Sequence, residues 1–153
     1  MRKEILLSLD RALHLTNVVC NEVYGEMSAA QVCMQTDNYI LVNGALPVGP
    51  TIQHVRMSPC EHGSPKESFI IRQASAFIAE KQGESVKTYE ELVVQHCIYA
   101  HFEGRLDDLR YAYSKLYLAA YEQEIALRPE NYTVFVSDEN EESAVVDIFI
   151  PKV

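Results

Sequence analysis

Two short segments place an acid two residues ahead of a phenylalanine in an apolar run: Glu67-Ser68-Phe69-Ile70-Ile71 and Asp147-Ile148-Phe149-Ile150-Pro151. In an extended strand, residues i and i+2 point to the same face, so each segment stands a carboxylate beside a ring. A carboxylate in partly desolvated surroundings attracts positive charge, and the face of a neighbouring ring adds cation–π attraction. The pattern suits an amphipathic cation. The plainer alternative is a half-exposed strand acid bonded to backbone, lysine or arginine nearby.

Nine tyrosines and no tryptophan extend the set of candidate contacts, since a tyrosine lines a pocket with its ring and still presents a hydroxyl. With Asp147 as the electrostatic anchor, the candidate walls are Phe149, Phe69, Phe102, Tyr113, Tyr121 and Tyr132, with Glu67 as the second acid. Tyr113 and Tyr117 belong to the apolar stripe of a helix and fit a core role as well, while Tyr111 and Tyr121 lie off it. Tyr99 and Tyr132 are strand tyrosines that face either a groove or solvent. His101, close to Gly104, fits a pH-sensitive ligand group or a structural histidine.

Other chemistries find less support. Cys60-Glu61-His62 and His96-Cys97 contain zinc-type ligands, but adjacent strand residues point to opposite faces, so His96 and Cys97 do not readily share an ion. No metal and no cofactor is expected. The chain has no Gly-x-Ser-x-Gly elbow, no phosphate loop and no glycine-rich dinucleotide turn. No catalytic residue is therefore assigned.

The elements that must position these residues occur twice, about 79 residues apart. Val18-Val19-Cys20-Asn21-Glu22-Val23-Tyr24-Gly25 leads to a helix-like stretch and then Gly49-Pro50, and Cys97-Ile98-Tyr99-Ala100-His101-Phe102-Glu103-Gly104 leads to another and then Arg128-Pro129. In the first copy, Ala12 to Val23 reads as a strand, with Arg2 to Ser8 as an extra strand or lead-in. Ser28 and Gln31 form a capping box that opens helix one; Met27, Ala30, Met34 and Leu41 fall near one face, and Gly44 supplies the stop. Val48 to Met57 and Glu67 to Ala79 read as strands around the polar loop Ser58 to Pro65.

In the second copy, Val94 to Phe102 is a strand, and Leu106, Leu109, Tyr113, Leu116, Tyr117 and Ala120 make an apolar stripe over Asp107 to Glu124. Tyr132 to Val136 and Ala144 to Ile150 form a hairpin around a charged loop. Alternation sends Val146, Ile148 and Ile150 to the helix-covered face and Val145, Asp147 and Phe149 to the other. The expected fold is α+β: a tandem duplication of strand-helix-strand-strand units, about 4–80 and about 86–153, with two helices on one side of an antiparallel sheet and a groove between the halves. The whole chain, 1–153, is expected to be a single domain.

Net charge of −9 and a pI near 5.0 disfavour direct binding to nucleic acid or an anionic membrane. The N-terminal apolar run is too short for a signal peptide or a span. Four cysteines with no close pair fit reduced thiols in the cytoplasm.

The second copy, from Cys97-Ile98-Tyr99-Ala100-His101-Phe102-Glu103-Gly104 through Leu109-Arg110-Tyr111-Ala112-Tyr113-Ser114-Lys115-Leu116 to Asp147-Ile148-Phe149-Ile150-Pro151, resembles the GyrI-like effector-binding domain. That resemblance implies a duplicated fold with a pocket between its halves, used for ligand sensing in multidrug-responsive transcription regulators or in free-standing domains. It also implies an acid in the last strand that meets cationic, aromatic drugs; Asp147 stands where the family usually carries glutamate, one methylene longer. With the first strand near the N-terminus, no helix-turn-helix is expected ahead of it. Some relatives resemble hydrolases of strained electrophiles, with an acid as general base. The leading expectation is a binding protein for amphipathic, cationic or aromatic small molecules. Its rivals are a small-molecule hydrolase and an acidic protein-interaction module that sequesters a DNA-processing enzyme; a protein partner or a homo-oligomer is also open.

Overall fold

The computed structural model describes residues 4–57, 67–138 and 140–153; the Ser58 to Pro65 loop, and with it Cys60-Glu61-His62, lies outside the described residues. The fold is α+β, with six strands and two helices among the described residues: β1 (Glu4–Val23), α1 (Ala29–Val42), β2 (Pro47–Arg56), β3 (Glu67–Ala74), β4 (Lys87–Gly104), α2 (Leu109–Glu122), β5 (Glu130–Ser137) and β6 (Ala144–Pro151). Among the described residues no helix is long and apolar enough to cross a membrane. The chain divides into two compact units, His14–Val93 and a second made of the residues up to Leu13 with Val94–Val153.

β1 and β4 are each one strand, so the lead-in before Ser8 and the stretch from Ala12 are continuous, and β4 starts at Lys87 rather than Val94. Each contains one residue in the left-handed region, Asn17 with φ 49° and His96 with φ 57°. Asn and His are among the side chains that tolerate this conformation best. The pleat changes phase there: Val18 and Val19, and likewise Cys97 and Ile98, are buried as neighbours instead of alternately.

In His14–Val93, β3 runs antiparallel between β1 and β2. Helix α1 starts as its capping box requires: the Gln31 amide donates to Ser28 Oγ at 3.1 Å, and the Ser28 amide donates to Gln31 Oε1 at 2.9 Å. It ends before Gly44, whose φ of 83° suits a residue without Cβ. Its inward face differs from the expected one. Val32, Thr36 and Ile40 are buried, whereas Ala30, Met34 and Leu41 are exposed. The i, i+4 stripe that meets the sheet carries a threonine, which loses little by burial because its hydroxyl donates to the Val32 carbonyl at 2.7 Å. From β3, Arg72 reaches back to the helix, donating to Asp37 at 2.8 Å and to the Gly49 carbonyl at 2.7 Å. β3 stops at Ala74, short of Ala79, because Ser75 turns to exchange bonds with Leu46.

In the other unit, β6 runs antiparallel between β4 and β5. A 3-10 turn over Leu106–Asp108 leads into α2, which lays Ala112, Leu116 and Ala120 on a bed that includes Ile98, Ala100, Phe102, Val146, Ile148 and Ile150. Burial of each large aliphatic side chain contributes about 1.5–3 kcal/mol. Tyr117, expected in that stripe, is 42% exposed. Val146, Ile148 and Ile150 thus face the helix, and Asp147 points to the opposite side of β6 with Phe149.

Candidate functional site

The ladder between β4 and β6 sets His101 opposite Asp147 and Tyr99 opposite Phe149. Because Ile98, Ala100 and Phe102 turn toward α2, Tyr99, His101 and Glu103 turn away from it, onto the face that carries Asp147. There Asp147 Oδ1 accepts two hydrogen bonds, from the Tyr99 hydroxyl at 2.8 Å and from His101 Nδ1 at 2.6 Å. The far nitrogen of His101 lies 3.4 Å from Glu103. The Tyr99 and Phe149 rings sit 5.0 Å apart, and the Arg11 guanidinium lies over the Tyr99 ring at 4.5 Å. A cation already rests on a ring beside this carboxylate.

Burial pulls the His101 imidazolium down, but the hydrogen bond and charge of Asp147, aided by Glu103, outweigh it, and its pKa lies above the usual 6.5. Burial pushes the Tyr99 phenol up to about 12, and its hydrogen bond to Asp147 pushes the same way. Tyr99 is therefore a fixed donor at neutral pH. The site thus holds an acid, a ring pair and a histidine whose protonation decides how much of the acid's charge is offset.

The candidate residues are not gathered in one place. Asp147 and Phe149 share the helix-free face with Tyr132, which pairs with Phe149 across β5 and β6. Phe149 and Tyr132 are buried, at 8% and 7% exposure, while the Asp147 side chain keeps 23%. Phe102 is fully buried under α2, on the other side of the sheet, because it alternates with His101. Tyr113 also lies on the helix side, where its hydroxyl bonds to the buried Thr133. Tyr121, at 83% exposure, stands in solvent near the end of α2.

Glu67 and Phe69 belong to the His14–Val93 unit, and the ladder there breaks the simple acid-x-Phe equivalence. Cys20 is opposite Ile71 and Glu22 opposite Phe69, whereas Tyr99 is opposite Phe149 and His101 opposite Asp147. The spacing that pairs Gly25 with Gly104 also pairs Glu22 with His101, so Phe69, not Glu67, occupies the place of Asp147. Glu67 sits two residues nearer the loop, opposite Arg56, and accepts from its guanidinium at 2.8 Å.

Glu103 and Arg11 were missed by the sequence reading. Alternation along β4 would have found Glu103, since it follows Tyr99 and His101 at period two; nothing local points to Arg11.

No family profile matches this chain, and no curated protein matches it by sequence. Among solved structures it is similar to the crystal structure of the EcmrR C-terminal domain, with a TM-score of 0.64 at 10% identity, covering 100% of this chain and 99% of that one. At such low identity the likeness is one of fold, and the fold extends over the full length of both chains.

Proposed function

We propose that this chain is a binding protein for amphipathic cationic aromatic small molecules, serving in sensing or sequestration, with Asp147 as its electrostatic anchor. The reading is carried by one arrangement: a carboxylate beside the Tyr99 and Phe149 rings, with a guanidinium already stacked on Tyr99. Likeness in fold to the EcmrR C-terminal domain supports it, as does the resemblance of the second copy to effector-binding domains. The strand-helix-strand-strand order in each unit supports descent of the two from one duplicated element.

A ligand ammonium approaching Asp147 competes with protonated His101 for the same charge. Cation affinity therefore rises with pH as His101 gives up its proton. The test is calorimetric titration of the whole chain with 2-naphthylmethylammonium, against the neutral 2-naphthylmethanol as control. Asp147→Asn should weaken the cation about tenfold, the usual worth of a charge-assisted contact, and leave the alcohol unchanged. Equal affinity of wild type and Asp147→Asn for the cation would remove the anchor and the proposal with it.

A further inference from the structure

The helix-free face of the His14–Val93 unit holds a cavity of about 320 Å³, bordered by Glu22, His54, Arg56, Phe69, Lys87 and Tyr89, with Cys20 among its lining. That volume lies in the range of small-molecule pockets. Two cations, Arg56 and Lys87, face one acid, Glu22, in a chain whose net charge is −9. The rings offer a stacking surface: His54 lies on Phe69 with centroids 5.7 Å apart and planes 29° from parallel, and Arg56 covers Phe69 at 4.9 Å. Both cations have acid partners outside the lining, Glu67 at 2.8 Å from Arg56 and Glu80 at 3.0 Å from Lys87. These pairs are exposed, so each is worth little and gives way to a better acceptor at small cost.

We infer that this cavity is a second ligand site, selective for a planar aromatic carboxylate, with the anion held between Arg56 and Lys87 and the ring against Phe69 and His54. Arg56 presents two parallel donors to a carboxylate, and Lys87 adds a point charge. Glu22 repels the same group and keeps affinity moderate. The field inside the lining has the required sign: burial pushes the Cys20 thiol up to about 11, and Arg56 pulls it down more than Glu22 pushes it up. The two units thereby present opposite electrostatic preferences on equivalent faces, and the second preference does not depend on the first.

The probe is 2-naphthoate, titrated calorimetrically into the full chain alongside 2-naphthylmethylammonium. Arg56→Gln and Lys87→Gln should each weaken naphthoate about tenfold, and Glu22→Gln should strengthen it severalfold, a gain that misfolding cannot mimic. Asp147→Asn should leave naphthoate binding as it is, so loss of the cation site and loss of the anion site are separately visible. Absence of naphthoate binding at millimolar concentration would overturn the inference. So would naphthoate binding that is indifferent to all three substitutions in the cavity.

Discussion

Cys20, Glu22, Phe69 and Ile71 stand in the His14–Val93 unit where Tyr99, His101, Asp147 and Phe149 stand in the other. Both sets lie on the strand face that the helix leaves uncovered. In one unit, paired ring hydroxyl, imidazole and carboxylate make a hydrogen-bonded acidic centre. In the other, the same positions carry a half-buried thiol, an acid, a ring and an aliphatic side chain, and the charge comes from Arg56 and Lys87 at the margin. Topology decides which residues meet, and side-chain identity decides what the meeting does.

The two phenylalanines offer the largest contrast. Phe102 is fully buried beneath α2, so Phe102→Ala should cost about 3–5 kcal/mol in urea unfolding. Phe69 lines an open cavity, and Phe69→Ala should cost about 1 kcal/mol. Equal losses would mean that the uncovered face of His14–Val93 is packed as tightly as a core.

The two arginines of β2 and β3 come next. Arg72 is only 12% exposed and ties β3 to α1, so Arg72→Met, which strands Asp37, should cost about 1–3 kcal/mol. Arg56→Met breaks an ion pair whose side chains are about half exposed, and should change stability by less than about 1 kcal/mol. If Arg56 proves the costlier of the two, its role is structural and the anion cavity loses its main donor.

Helix starts differ as well. Ser28 completes a capping box, and Ser28→Ala should cost about 1 kcal/mol by thermal or urea unfolding. Asp108, at the start of α2, makes no side-chain capping bond, and Asp108→Ala should stay within about 0.5 kcal/mol.

The smallest effect is a slope with pH. The folded pKa of His101 is raised above its ordinary 6.5, so its contribution to stability is complete below that value and is lost as pH rises through the folded one. Urea midpoints should fall as pH rises above about 6.5, and His101→Gln should remove that part of the slope. A slope that survives His101→Gln would place its source elsewhere.

Much of this was legible along the chain. The Ser28–Gln31 box is a local device, readable from four residues, and α1 begins where it says. Alternation in Ala144–Pro151 correctly divided Val146, Ile148 and Ile150 from Asp147 and Phe149, because strand side chains obey period two wherever one face is covered. The same rule applied to β4 would have removed Phe102 from the site and added Glu103. The inward face of α1 was misjudged because hydrophobicity favoured Met34 and Leu41, while contact with the sheet selected Val32, Thr36 and Ile40.

The amino-acid order by itself determined the strand-helix-strand-strand runs, the helix caps and the face on which Asp147 emerges, since all of these follow from periods and contacts a few residues long. Only the folded chain decided that Asp147 meets His101 and Tyr99, that Arg11 lies on Tyr99, and that Phe69 rather than Glu67 takes the place equivalent to Asp147. Those outcomes depend on strand register and on residues as far apart as Arg11 and Tyr99. A shift of two residues keeps every side chain on its face, so alternation cannot detect it, and only the paired ladder distinguishes one register from the next.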